Sequence, residues 1–389
     1  MTRQTSPIYL DHNAGAPLRA SVREAMIEVL GDAGNASSVH AHGRKARGRI
    51  EQAREQVARL CGARNRAVTF VSGGTEANMM ALTQSWRDQG TPVYLDKLFR
   101  SAVEHSSVVT GGRFPVSDQV VLPVDSNGVV LLDALDEMLS GKEPSLVSVM
   151  AANNETGVVQ PLAKIGAVVR EHGHFLHVDA VQAAGRLPID LEEWQADAIT
   201  LSAHKFGGAQ GIGAVVVRST GRVPAPLMIG GGQENWQRGG TENVAAITGF
   251  GVAAEAALEE ASDLGHLNML KSRLESGLRA VCPATVIFGE ETQRLANTSC
   301  FAVPGIAAET ALIAFDLENV SVSSGSACSS GKVAVSHVLT AMGIDETLAR
   351  CALRISMGWN TGEEDVDRFL EIWPRIVDRL NPEARTRAA

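Results

Sequence analysis

The sequence predicts an α/β fold in two parts, a large unit on a mostly parallel sheet and a smaller α/β layer after it. Three observations lead there. At 389 residues the chain is longer than one hydrophobic core usually serves. From about residue 67 short apolar runs alternate with helical stretches, as in strands and crossover helices around a sheet covered on both faces. The composition is 44% hydrophobic, 20% charged and 4% aromatic with 38 glycines, which suits a folded chain with many close backbone approaches and disfavours a disordered one.

Taken in order, residues 45–60 place Ile50, Ala53, Val57 and Leu60 at helical spacing with charges between them, so an amphipathic helix is expected there. The run AVTFV then reads as a strand and TEANMMALTQSW as a helix. SLVSVMAAN precedes a helical IGAVVREHG, and FLHVDA, AITLSA and GAVVVR read as further buried strands. A helix-rich connector covers about Asn243 to Val281. Beyond it TSCFAV, ALIAFDLENVSV and ALRISMG supply strands and helices of the smaller layer. The expected division gives residues 15–260 to the large domain, and residues 1–14 with 261–389 to the small one. The tail NPEARTRAA is expected to fray.

The formal net charge of -9 offers no general attraction for nucleic acid or an anionic membrane, and neither is expected as a partner. The N-terminal MTRQTSPIYLDHNAG lacks a charged start followed by an apolar run, and no stretch reaches membrane-spanning length, so a cytoplasmic location is expected. Five scattered cysteines suggest neither a disulfide framework nor a metal site.

Five short constellations carry chemistry. In VSGGTEAN, Gly73, Gly74 and Thr75 follow a strand and open a helix, where backbone N–H groups and the helix dipole can seat a phosphate; from these residues alone, a plain strand-to-helix turn capped by Thr75 is the preferred reading. In HVDAVQAAG, Asp179 and Gln182 stand at a strand's carboxyl end, where open α/β sheets bind ligands, or where an acid simply caps a helix. In LSAHKFGG, Lys205 follows a strand closely and can be made nucleophilic toward an aldehyde by desolvation, with Ser202 and His204 as donors to an anion; alone, it reads as a surface lysine. In SVSSGSACSSG, Cys328 lies in a Gly and Ser run that specifies a polar loop and an accessible thiol. In LRISMGWN, Arg354 sits in an apolar strand and needs a carboxylate partner, whether from a substrate or from the protein.

Together these segments resemble the cysteine desulfurases, a branch of the class V aminotransferases with the pyridoxal phosphate (PLP) fold type I. The likeness runs in order through YLDHNAGAP, GNASSVHAHGRKAR, VSGGTEAN, VEHSSV, MAANNETGVVQP, HVDAVQAAGRLPID, LSAHKFGGAQGIGA, GGGQENWQRGGTEN, RLANTS, SSGSACSSG and LRISMG, and so covers almost the whole chain.

The resemblance implies an enzyme that removes sulfur from L-cysteine, leaving L-alanine and a persulfide on Cys328. The sulfur would pass to an acceptor protein such as an iron–sulfur cluster scaffold. Lys205 would hold PLP as a Schiff base and move the α-proton. Asp179 would pair with the pyridinium nitrogen, Gln182 with the ring hydroxyl, and His105 would stack on the ring and help move protons. Gly74, Thr75, Ser202 and His204 would grip the phosphate. Thr241 would reach the phosphate of a neighbouring subunit, implying a homodimer. Asn154 and Arg354 would contact the substrate, and the Cys328 thiol would need a lowered pKa or a proton acceptor such as His105.

The sequence departs from the family pattern in places. DHNAGAP carries Gly15 and Ala16 where two hydroxyl residues are common, GNASS carries Ala36 in place of proline, and Val335 also replaces a usual proline. None removes a group assigned above. A selenocysteine lyase or cysteine-sulfinate desulfinase shares the same apparatus with less dependence on Cys328. A non-catalytic scaffold of the same fold would not need Lys205, Asp179 and His105 together.

Overall fold

The computed structural model describes residues 7–64, 67–110, 112–325 and 335–385. Seven strands form the central sheet: β1 (Val68–Val71), β2 (Leu98–Ser101), β3 (Gln119–Leu122), β4 (Leu146–Met150), β5 (Phe175–Asp179), β6 (Ala198–Ser202) and β7 (Gly213–Val217). Their spatial order is β1-β7-β6-β5-β4-β2-β3. β7 runs antiparallel to both neighbours and all other pairs are parallel, so the expected mostly parallel sheet is present. Every residue of β4 to β7 is buried, because helices and loops cover both faces.

Gly213 shows how closely the antiparallel strand is seated: a Cβ there would stand 2.6 Å from the Gly73 carbonyl carbon and 2.6 Å from Leu201 O. Backbone contacts of that kind admit only glycine. The covering helices include α1 (Ala41–Leu60), α2 (Gly74–Ala81), α3 (Leu162–Glu171) and α4 (Val244–Glu260). Ile50, Ala53, Val57 and Leu60 are the buried face of α1, as their spacing predicts.

The connector breaks after α4, and α5 (Gly265–Val281) turns Leu270, Leu274 and Leu278 into a second core. Ile8 and Leu10 from the start of the chain join that core. Its sheet has four antiparallel strands in the order β8-β9-β11-β10, from β8 (Val286–Ile287), β9 (Thr298–Ala302), β10 (Ser323–Ser324) and β11 (Ala352–Ser356). Helices α6 (Ala308–Leu317) and α7 (Glu363–Leu380) close it. Phe315 stacks on Phe369 with centroids 4.9 Å apart and on Trp373 at 5.9 Å, and Phe301 meets Trp373 edge-on at 5.8 Å. Such aromatic pairs add to plain area burial.

Two local expectations differ from the structure. The helix expected over TEANMMALTQSW stops at Ala81, and Ser85–Asp88 is a strand paired with Thr91–Tyr94. The first part of the tail is ordered: Pro382–Arg385 makes a short helical turn with Ala384 only 3% exposed in the second core.

Candidate active site

β1, β2, β4, β5 and β6 all point their carboxyl ends the same way, and the site is assembled at that edge. Asp179 ends β5, and Ser202 ends β6 just before the tight helical turn Ala203–Lys205. Gly74 starts α2 three residues after β1. His105 starts the short helix Ser106–Val109 after β2, and Asn154 follows β4. Arg354 comes from β11 of the other sheet.

A cavity of about 330 Å³ gathers Gly74, Thr75, His105, Asn154, Asp179, Gln182, Ser202, His204, Lys205 and Arg354 in one wall set. The structure therefore brings together ten of the predicted site residues. Thr241 is exposed and is not part of that lining; Arg238, three residues before it, pairs with Glu76 of α2 at 3.0 Å. Cys328 lies outside the described residues, and the other four cysteines are buried.

Asp179 is 5% exposed, and its carboxylate accepts from Asn78 Nδ2 at 2.8 Å and from the Val181 backbone N–H at 3.0 Å. Lys205 Nζ donates to the carbonyls of Asn13 at 2.6 Å and Ala14 at 3.0 Å. Gln182 Nε2 donates to that same Asn13 carbonyl at 3.0 Å, while its Oε1 accepts from buried Arg186. Arg354, 2% exposed, donates to Asp11 Oδ1 at 2.7 Å and to the Asn154 carbonyl at 3.0 Å, and its buried Nε has no acceptor among the described residues.

Burial, with the positive charges of Lys205 and Arg186, pushes His204 down to about 4, so its imidazole is neutral at neutral pH. Burial likewise lowers His105, opposed by the Asp179 carboxylate and assisted by Lys205 and His337. Glu104, fully buried, is raised well above the ordinary carboxylate range by burial and then by Asp179. Its Oε1 accepts the Met150 backbone N–H at 2.7 Å.

The cavity fits a phosphate-bearing aldehyde cofactor. Among the described residues no side chain caps α2, so the N–H groups at its start are left for an anion, with Thr75, Ser202 and neutral His204 beside them. A Cβ at Gly74 would stand 3.2 Å from Val181 Cγ2 and 3.4 Å from Ser202 Cβ, so glycine keeps this cradle open. An amine, a buried carboxylate and a guanidinium at the cavity wall complete a set able to hold an aldehyde, a ring nitrogen and a substrate carboxylate.

Sequence reading missed Asn13 and Asn78. Asn13 joins the two sheets: its Nδ2 donates to the Asn154 carbonyl at 3.1 Å and to Thr298 Oγ1 at 3.0 Å, while its carbonyl receives Lys205 and Gln182. A signal for Asn78 was present, since it falls among Ala77, Met80 and Ala81 on the buried face of α2.

Residues 8–369 match the family model described as aminotransferase class-V. A "Cysteine desulfurase IscS" of Dictyoglomus turgidum is 37% identical over 382 residues, covering 96% of this chain and 95% of the relative. An "IscS-like cysteine desulfurase" of Mycobacterium tuberculosis is 39% identical over 381 residues, covering 95% of this chain and 96% of its own. Among solved structures, a NifS-like protein from Rickettsia africae superposes with a TM-score of 0.84 at 35% identity, over 96% of this chain and 99% of that one. SspA, solved in complex with cysteine, gives a TM-score of 0.72 at 28% identity, over 90% of this chain and 98% of that one.

Proposed function

The chain belongs to the class-V aminotransferases and, among them, to the cysteine desulfurases, and from that membership we propose how its own residues release sulfur from L-cysteine. It is an enzyme of PLP fold type I, with pyridoxal phosphate as cofactor. When bound, the cofactor withdraws electrons from the substrate's α-carbon.

Lys205 would anchor the cofactor aldehyde, Asp179 would pair with its ring nitrogen, Gln182 with its hydroxyl and His105 with its ring. Gly74, Thr75, Ser202 and His204 would hold the phosphate. Thr241, exposed and apart from its own chain's cavity, would supply a phosphate contact to a second copy, so the enzyme would work as a homodimer. Division of the chain near residue 260 agrees with α4 packing on the first core and α5 on the second.

Arg354 takes the α-carboxylate of cysteine, with Asn154 beside it. Lys205 Nζ, a base once it is neutral, takes the α-proton. The Cys328 thiolate attacks the substrate sulfur; the new S–S bond leaves a persulfide on Cys328 as the substrate C–S bond breaks, and the carbon fragment, which keeps that electron pair, takes up protons at its β- and α-carbons and departs as alanine. A sulfur-acceptor protein in the cytoplasm, such as an iron–sulfur scaffold, then receives the sulfur.

The observation that carries this reading is the convergence of Lys205, Asp179, His105 and Arg354 on one cavity from four separate strands. The test is alanine formation from L-cysteine by the purified holoenzyme. Lys205→Ala is expected to abolish it. Loss of the α-proton at an undiminished rate in that variant would refute the role of Lys205, and no alanine from the unaltered enzyme would refute the activity.

A further inference from the structure

The polar groups beneath the cavity fix the position of a proton. Asn78 is 1% exposed, and its amide has one consistent orientation. Thr200 Oγ1 donates to Asn78 Oδ1 at 2.6 Å, so Nδ2 faces away from β6. That nitrogen has two hydrogens and two acceptors, Asp179 Oδ2 at 2.8 Å and Ser107 Oγ at 2.9 Å. The reversed amide would turn Oδ1 against the Asp179 carboxylate. Deeper in the sheet, Ser148 Oγ lies 2.9 Å from His177 Nδ1 and His177 Nε2 lies 3.3 Å from Thr200 Oγ1; with the His177 hydrogen on Nε2 that ring donates to Thr200, whose own proton goes to Asn78.

Because Ser107 Oγ accepts from Asn78, its own proton can go to His105 Nδ1, 2.8 Å away. The Ser107 backbone N–H donates to the same ring nitrogen at 3.2 Å. Two donors directed at Nδ1 require a lone pair there, and a neutral ring then carries its hydrogen on Nε2. Burial favours the neutral ring, with Asp179 acting against it and Lys205 and His337 with it.

We propose that Asn78 is a positioning residue that holds Asp179 directly and, through Ser107, locks His105 in the Nε2–H tautomer. His105 then presents an N–H donor at Nε2, and taking the Cys328 proton at that atom is not its task. This last consequence rests on the desulfurase reading; the tautomer itself does not.

The test is the histidine-selective ¹⁵N spectrum of the holoenzyme, with the His105 signal identified by its loss in His105→Asn. The unaltered enzyme is expected to show nitrogen shifts of the Nε2–H form. Losing one hydrogen bond of about 1 kcal/mol, Ser107→Ala should raise the Nδ1–H fraction about fivefold. Asn78→Ala should do the same and also weaken cofactor binding by about tenfold, because it loosens Asp179 as well. Ser107→Ala, which leaves Asp179 bonded, should hold cofactor within about twofold of the unaltered enzyme. An Nδ1–H form in the unaltered enzyme, or a tautomer ratio that Ser107→Ala leaves unchanged, would overturn the proposal, and so would equal cofactor loss from both variants. If Asn78→Ala does not fold, Ser107→Ala alone still decides the tautomer. The spectrum needs no turnover, so an enzyme inactive toward cysteine would count against the function and not against this assignment.

Discussion

The Arg354 guanidinium donates from Nη2 to Asp11 Oδ1 at 2.7 Å, and the pair joins the small sheet to the start of the chain at the cavity wall. Asp11 itself bridges to Ser356 on the same strand as Arg354. The ion pair thus aims the guanidinium, while one buried N–H, on Nε, keeps no acceptor among the described residues. Read from sequence, Arg354 called for a carboxylate either from the protein or from a substrate. The protein supplies one on Nη2, and the substrate supplies the second in the proposed reaction.

Arg354→Lys keeps the charge and loses the planar fork. We expect the KM for L-cysteine to rise about 10- to 100-fold, the worth of one or two charge-assisted hydrogen bonds, with cofactor affinity little changed. Steady-state kinetics beside a cofactor titration separates the two effects. An unchanged KM would remove Arg354 from substrate binding.

Gly74→Ala places a methyl group 3.2 Å from Val181 Cγ2 and 3.4 Å from Ser202 Cβ. Both neighbours are held by the ends of β5 and β6, so the start of α2 must shift instead. Cofactor affinity is expected to fall on the order of tenfold, roughly 1 to 2 kcal/mol of overpacking at the phosphate seat. Equilibrium reconstitution of the apoenzyme measures it, and affinity equal to the parent would mean that the cradle tolerates the group.

Glu155 accepts from Ser336 Oγ at its Oε2, 2.5 Å away, and lies close to Gly325, where a Cβ would stand 3.2 Å from that oxygen. Burial pushes the Glu155 carboxyl up to about 7, opposed by the Ser336 hydrogen bond and by Arg354. The unfolded chain ionises it near its ordinary value of about 4.3 while the folded chain still holds the proton. Folded protein therefore binds more protons across that interval, and this group's contribution to stability falls as pH rises from about 4 to about 7, after which it is constant. Glu155→Gln should flatten that part of the profile and stabilise the protein relative to the parent above pH 7. Denaturant midpoints of both proteins between about pH 5 and about pH 8 test this; a difference independent of pH would show that Glu155 ionises normally.

Much of the fold was legible because the central strands are buried on both faces. AVTFV, FLHVDA, AITLSA and GAVVVR can be read as strands from apolar continuity alone. β2 and β3 were not, since LFRS ends in Arg and Ser and QVVL lies at the sheet edge, half-covered. The overrun of α2 has a similar cause: MMALTQSW is apolar enough to continue a helix, and only the pairing of Ser85–Asp88 with Thr91–Tyr94 ends it. At the site, residues with distinctive chemistry such as Lys205 and Asp179 could be picked from motifs. Asn13 could not, because its importance comes from hydrogen bonds to Asn154, Gln182, Lys205 and Thr298, which fold in from four remote segments.

The central claim is that sulfur leaves cysteine onto Cys328. Holoenzyme incubated briefly with L-cysteine, then quenched, should yield alanine together with a mass increase of one sulfur atom on the peptide containing Cys328, and Cys328→Ala should yield neither. Alanine formed at an undiminished rate by Cys328→Ala, or alanine from the unaltered enzyme without sulfur on Cys328, would contradict the account and favour direct release of the sulfur or selenium group.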